Sequence, residues 1–389
     1  MSTANVVQGC ESAFPKSEYD ARVARAREGL AAAGLDAMVV TGPENIFYLT
    51  GQQTPGYYMF QALVLPAEGD PVFVIRQLEY FNFVANTFIA DAAIYQDSED
   101  PVGFLTKVLA DKGLIGKRVA IDKRGWFLPI AIYEALQQKL GAIGDAAGIV
   151  ERLRMIKSPL ELEKLQLAAT YVDAGMRAGA AAVKAGNTEN DMVAAMMGAA
   201  IAAGSEYMGM EPLCSSGPRS GVPHGTWKRR WFQDGDPVLL EMAGVHDRYH
   251  AALMRTAWIG EPPAQAVEMM NVCLEALAVS LEEVKPGVRC EVPHLAAQAV
   301  IDKAGYTDSF RKRLGYGMGI SFAPDWGEGG IIGLNKGITT LLQPGMVFHL
   351  PPALRIYGRF TVGVSETIAV TDTGYRQLGT IDRAMQIVG

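Results

Sequence analysis

The sequence predicts two domains, an α/β domain over residues 1–152 and an α+β domain over residues 153–389. Three observations predict this. A chain of 389 residues is longer than one ordinary domain. Helical and strand-like segments alternate along the chain as far as Val150. From Glu151 onward the pattern changes to long helices in pairs, one long hairpin and a strand-rich C-terminal stretch.

In order, Tyr19–Ala33 places Ala21, Val23, Ala24, Ala26, Leu30 and Ala31 on an apolar helical face. Gly34 is suited to turn the chain out of that helix. Leu35–Val40 is a short buried strand, and Pro43–Gly51 a turn leading into a helix. Strands follow at Met59–Leu65 and Pro71–Ile75, a helix at Val102–Leu109, a strand at Arg118–Ile121 and a helix at Phe127–Leu140. Ser158, Pro159 and Glu161 then supply an N-cap, an N1 proline and an N3 carboxylate, which together start a helix. It is expected to run to about Ala185, where Gly186-Asn187-Thr188 breaks it before a second helix at Glu189–Ala203. Gln265–Glu283 and Glu291–Ala304 form a further pair.

Composition narrows the function. The formal net charge is -7, and no long Lys/Arg run offsets it, which argues against nucleic-acid partners. Lys228-Arg229-Arg230 and Arg311-Lys312-Arg313 read as solvated turns or local anion contacts. Cys10, Cys214, Cys273 and Cys290 have no metal or redox spacing, so free thiols in a reducing compartment are expected. Met1–Ser17 lacks a signal-peptide core, and no apolar run approaches the ~20 residues that span a bilayer. The expectation is a cytoplasmic protein with no membrane partner and no cofactor.

Between the helix pairs, Glu241–Thr256 reads as the centre of a β-hairpin turning at Asp247-Arg248. Leu239, Glu241 and Ala243 share one strand face, and His250, Ala252, Met254 and Thr256 another. A carboxylate and an imidazole in apolar strands are costly if buried unpaired. Either they form a satisfied polar pair or they serve a site.

Several ordered motifs give this pattern a family. Arg154-Met-Ile-Lys157-Ser-Pro-Leu-Glu161, Pro223-His224, Gly235-Asp236, Arg255-Thr256, Gly315-Tyr-Gly-Met-Gly319, Leu342-Gln-Pro-Gly-Met346 and Ser365-Glu-Thr-Ile-Ala-Val-Thr371 resemble the pita-bread superfamily of methionine aminopeptidase, prolidase and creatinase. The resemblance covers residues 15–385 and implies a creatinase-like α/β N-terminal domain and an α+β pita-bread C-terminal domain. Peptidases of that superfamily hold two divalent metals with Asp, Asp, His, Glu and Glu. Those positions fall here on Glu241, Ala252, Tyr316, Pro351 and Ser365, with Glu366 one step beyond. One carboxylate with a Tyr and a Ser is a poor site for hard cations, so no metal is expected.

Within the superfamily the chain resembles the metal-free enzymes, creatinase and more closely the ectoine hydrolases. Pro223-His-Gly-Thr-Trp227, Glu241-Met-Ala-Gly with Arg248-Tyr-His250, Gly315-Tyr316 and Pro324-Asp-Trp-Gly-Glu328 carry that resemblance. It implies hydrolysis of a C–N bond in a small zwitterionic cyclic amidine, ectoine being favoured, with N-acetyl-diaminobutyrate as product. The alternatives are a creatinase-like hydrolase of a guanidinium acid, an inactive pita-bread binding domain, and, last, a metal-dependent Xaa-Pro peptidase.

His224 is suited to be base and then acid, because imidazole titrates near neutrality. Glu241 either pairs with the cation or attacks it. His250 is expected to orient Glu241 or bind the substrate, and Tyr316 to reach the centre as a donor. Met254 stands where creatinase has a glutamate. Trp326 is the candidate for stacking on a cationic ring, with Tyr58 and Phe60 from the N-terminal domain also shaping the pocket. His349, with the strand parity of Pro351, and either Ser365 or Glu366 complete the expected substrate-binding set. Arg255 reads as a structural ion pair. Creatinase-like dimers imply a homodimer in which the N-terminal loop lies near the partner's site.

Overall fold

The computed structural model describes residues 7–389. The chain divides into two compact units between Arg154 and Met155. The first contains α1 (Lys16–Ala32), β1 (Ala37–Val40), α2 (Pro43–Thr50), β2 (Ala62–Pro66), β3 (Val72–Arg76), α3 (Tyr80–Asn86), β4 (Asp91–Tyr95), α4 (Pro101–Asp111), β5 (Val119–Ile121), α5 (Ile130–Leu140), β6 (Gly144–Asp145) and α6 (Ile149–Arg154). Its six strands form one mixed sheet in the order β4-β3-β2-β1-β5-β6. The alternating elements of the sequence are present; α3 and β4 were not anticipated. β4 is short and half exposed, so it lacks the continuous apolar run by which a buried strand shows itself.

The second unit contains α7 (Pro159–Ala182), α8 (Glu189–Ala202), β7 (Ser215–Ser216), β8 (Pro237–His246), β9 (Tyr249–Ile259), α9 (Ala264–Glu282), α10 (Glu291–Lys303), β10 (Gly315–Gly317), β11 (Gly333–Leu334), β12 (Val347–Leu350), β13 (Ala353–Ile356), β14 (Phe360–Gly363), β15 (Glu366–Val370), β16 (Tyr375–Gln377) and β17 (Gln386–Val388). α7 starts as its sequence requires: Ser158 Oγ accepts from Glu161 N, and the Glu161 carboxylate accepts from Ser158 N. β8 and β9 pair from Pro237↔Trp258 to His246↔Tyr249. Asp247 and Arg248, at φ 46° and 65°, make the two-residue turn between them.

β8 and β9 belong to a four-stranded sheet, β17-β9-β8-β7, and β10, β12 and β15 to a five-stranded one, β11-β10-β12-β15-β16. α7 and α8 bury Val172, Met176 and Met196 with Leu240 and Met242 of β8. α9 and α10 bury Met269, Cys273, Leu277 and Ile301 with strands of the other half. α9 is the one helix among the described residues with the length and composition to cross a membrane. Most of its apolar residues belong to the core.

Hydroxyl groups sew the two sheets together along β9. Thr367 Oγ1 accepts from Ala252 N and donates to Ala252 O. Ser365 Oγ accepts from Met254 N, and Thr256 Oγ1 accepts from Gly363 N. Three alternate residues of β9, Ala252, Met254 and Thr256, are joined this way, because in a strand every second residue turns its backbone to the same side.

Candidate active site

Glu241 rises from the middle of β8, on the strand face it shares with Leu239. Leu239 packs with Met254 of β9 and Ala353 of β13 in a small apolar cluster. That cluster seats the β13–β14 ribbon against the hairpin, and Arg355 follows Ala353 on the same side. Burial raises the Glu241 carboxyl above its ordinary range, while the charges of Lys312 and Arg355 act against the shift. Yet the Glu241 carboxylate makes no hydrogen bond or ion pair among the described residues. Lys312 is pushed down to about 8, chiefly by burial, with Glu241 opposing. These are charged groups facing each other without touching.

Beside them runs a hydrogen-bonded chain built on strand register. Tyr316 of β10 lies directly opposite His349 of β12, and opposite residues share a face. The Tyr316 hydroxyl is 3.0 Å from His349 Nδ1, and His349 Nε2 is 2.7 Å from Ser365 Oγ. Trp326 Nε1 donates to the Tyr316 hydroxyl at 2.9 Å. Burial, with the nearby Lys312 and Arg255 charges, holds His349 down to about 3, so the ring is neutral. The network assigns its tautomer. Ser365 is fully buried and already accepts from Met254 N, so its proton goes to His349 Nε2. Nδ1–H then donates to Tyr316, whose oxygen accepts twice. The phenol hydrogen is left free to donate. Burial and the Glu241 charge keep that phenol protonated.

His224 is exposed and has φ 54°, a conformation that non-glycine residues adopt at a cost. Its loop is gripped at two points. A Cβ on Gly221 would meet the backbone of Ile356, Arg359 and Phe360 at the β13–β14 turn, and one on Gly225 would lie 3.3 Å from Ser215 Oγ of β7. Buried Glu189 anchors the loop, accepting from Ser216 N, Arg219 and Lys228 N. His224 makes no hydrogen bond to the Glu241 group among the described residues.

Other residues expected at the site lie as follows. His250 Nδ1 donates to Arg248 O at 2.8 Å, and its Nε2 accepts from Gly209 N at 3.0 Å. Burial holds it well below the usual imidazole range, and backbone groups use both nitrogens of the ring. Trp326 is 1% exposed, so it presents no open face for a ring to stack on and instead orients Tyr316. Phe60 packs against the first unit's own core. Glu366 binds Arg255 at 3.0 Å and Arg383 at 2.9 Å, and Ser365 is the residue that joins the Tyr316–His349 chain. Tyr58 lies on the first unit's surface, 73% exposed.

Lys312 and Arg355 were missed. Lys312 was hidden in a basic triplet taken for a solvated turn or local anion contact. Arg355 carried the signal that singled out Glu241, a charge inside an apolar strand (Ala353-Leu-Arg-Ile356).

Two family models match the chain. Residues 163–372 match metallopeptidase family M24, and residues 22–156 match the creatinase/prolidase N-terminal domain. The chain belongs to the M24 metallopeptidase family, with the creatinase-like N-terminal domain of its two-domain members. Among its relatives, the ectoine hydrolase of Halomonas elongata is 30% identical over 96% of this chain and 98% of its own. Among solved structures, the dipeptidase PepE from Mycobacterium ulcerans is 25% identical with a TM-score of 0.83, over 96% of this chain and 99% of that one. A prolidase from Thermococcus sibiricus has a TM-score of 0.86 at 23% identity, over 95% and 99%.

The residues at the family's metal positions do not fit a dinuclear centre. Ala252 and Pro351 offer no side-chain donor, and Tyr316 and Ser365 are committed to His349. Among the described residues no group of three or more His, Cys, Asp or Glu could hold a metal ion.

Proposed function

We propose that this M24-family hydrolase adds water, without a metal, to the charged carbon of a small amidine, with ectoine as the favoured substrate. The observation that carries the reading is Glu241, a half-buried carboxylate with no partner among the described residues, standing at a metal-ligand position of the family beside two cations held off from it. An amidinium carbon is activated by its own charge, and a carboxylate next to it supplies the complement. The relation to an ectoine hydrolase supports the same reading.

The chemistry then follows from these groups. The amidinium docks against Glu241. Water adds to the amidine carbon and gives a proton to a base, for which His224 on its strained loop is the candidate. The tetrahedral carbon gives up its hydroxyl proton and forms C=O as one C–N bond breaks, and the departing nitrogen leaves as an ammonium carrying the equivalent of both protons of the water. The Tyr316 phenol is the donor at the site, and it is reprotonated by the base that took the water's first proton. For ectoine the product is N-acetyl-diaminobutyrate.

The test is turnover by chelator-treated protein of ectoine, creatine and an Xaa-Pro dipeptide. Ring opening at a rate unchanged by chelation supports the reading. Creatine as the preferred substrate moves it to a guanidinium acid. Peptide cleavage that appears only with added manganese overturns it.

A further inference from the structure

The β13–β14 ribbon turns one side to the core, through Leu354 and Val362. Its other side carries Ala353 and Arg355 on one strand, with Gly363 and Thr361 directly opposite them. Ala353 touches the hairpin. The next pair along, Arg355 and Thr361, is therefore presented beside Glu241. Both hold a buried polar atom that nothing among the described residues satisfies, Arg355 Nε and Thr361 Oγ1, and Thr361 is fully buried. Native proteins seldom leave such atoms unpaired without a role.

Lys312 arrives from a third direction. The turn Thr307–Ser309 packs against β13, and the chain passes Lys312 on its way to Tyr316 in β10. Lys312 makes no hydrogen bond or ion pair among the described residues, and neither it nor Arg355 reaches ion-pair contact with Glu241. Two cations gathered about a carboxylate would ordinarily close onto it. Standing apart, they leave one positive charge more than Glu241 offsets.

We infer that Lys312, Arg355 and Thr361 form an anion subsite that grips the carboxylate of a zwitterionic substrate while Glu241 takes its cationic end. The inference deepens the hydrolase reading above and rests on it for the cationic end alone. A guanidinium presents N–H donors in a planar fork, a lysine adds a point charge, and a threonine hydroxyl donates to the remaining lone pair. That set matches one carboxylate group. The substrate class is thus narrower than amidines in general: a compact molecule with a carboxylate and an amidinium separated by few atoms.

The experiment compares ectoine with 2-methyl-1,4,5,6-tetrahydropyrimidine, the same ring without its carboxylate, by titration calorimetry, every protein carrying His224→Ala so that neither ring is opened during the titration. This parent, Lys312→Met, Arg355→Met and Thr361→Val are each titrated with both, and acetate is scored by thermal shift at constant ionic strength. The parent is expected to prefer ectoine by about 10- to 100-fold, the usual range for hydrogen bonds to a charged group. Lys312→Met and Arg355→Met remove most of that preference while leaving the carboxylate-free ring bound as well or better, and Thr361→Val removes part of it. Circular dichroism confirms that each variant is folded. A preference near one, or one untouched by the variants, overturns the inference. If neither ring binds, the amidine reading fails by itself. The subsite then stands if acetate stabilises the parent and not Arg355→Met, and falls if acetate stabilises neither.

Discussion

Two glutamates in the second unit, the half-buried Glu241 and the fully buried Glu366, have opposite surroundings. Burial raises both carboxyls, and two cations lower each. Around Glu366 the cations are in contact: Arg255 at 3.0 Å and Arg383 at 2.9 Å. Arg255 also donates to the carbonyls of Met254, Ser365, Ile381 and Asp382. Around Glu241 they stand off. A buried carboxylate gripped through one oxygen, Oε1, by two arginines holds elements of the fold together. One left open by partners of the same kind holds a place for something else.

The contrast breaks first at activity. Glu241→Gln keeps shape and removes charge, and kcat/KM for the amidine substrate is expected to fall about 10³-fold, as when a preorganised electrostatic partner is lost. Glu366→Gln should leave kcat within a few fold; an equal loss in both variants erases the distinction. Next comes stability. Arg255→Met leaves Glu366 to Arg383 alone and four carbonyls without their donor, and is expected to cost about 3–5 kcal/mol in denaturant unfolding, whereas Arg355→Met removes no made contact and should cost far less.

Tyr316→Phe removes the leftover phenol proton. Its expected loss is about 10²-fold in kcat with KM little changed, read from initial rates. An unaltered kcat would take Tyr316 out of the chemistry.

The pH dependence of stability sharpens the comparison further. Glu241 has a raised carboxyl in the folded state, so the folded chain binds its proton more tightly than the unfolded one. Stability from this group is greatest at acid pH and declines as pH rises from the unfolded value, about 4.5, through the folded one. Glu241→Gln should therefore melt higher than wild type at pH 7, and the gap should close below the unfolded value. Melting curves across that range check the sign. The smallest expected effect is at His250. His250→Gln should keep kcat within about threefold while losing about 1–3 kcal/mol of stability for its two buried backbone bonds.

Local chemistry made much of this legible in the sequence. The capping box at Ser158–Glu161, the hairpin turn at Asp247-Arg248 and the helix pairs depend on residues near one another in the chain, and the structure contains them. The hydroxyl end of the centre was half legible. Alternation places Ser365 and Glu366 on opposite faces, but which face each takes depends on Arg255 and Arg383, from elsewhere in the chain. The partners of His250 were not legible for a similar reason: the Gly209 N–H that occupies its Nε2 comes from a loop 41 residues away. Lys312 and Arg355 meet Glu241 only once three separate segments have packed. A strand pattern shows that a charge is buried, but not what it faces.

The hydroxyl seam along β9 has a consequence for how the centre could change. In the family's peptidases the position of Ser365 belongs to a glutamate. Here its hydroxyl ties down Met254 N and closes the chain to His349. Restoring Asp at Ala252 alone rebuilds nothing, since Tyr316, Pro351 and Ser365 still supply no ligand set. Restoring Glu at Ser365 alone cuts a stitch between the sheets and leaves His349 half-bonded in a dry interior. Each backward step is penalised until the others are made. The seam therefore works as a ratchet, turning a change of chemistry into a commitment of architecture.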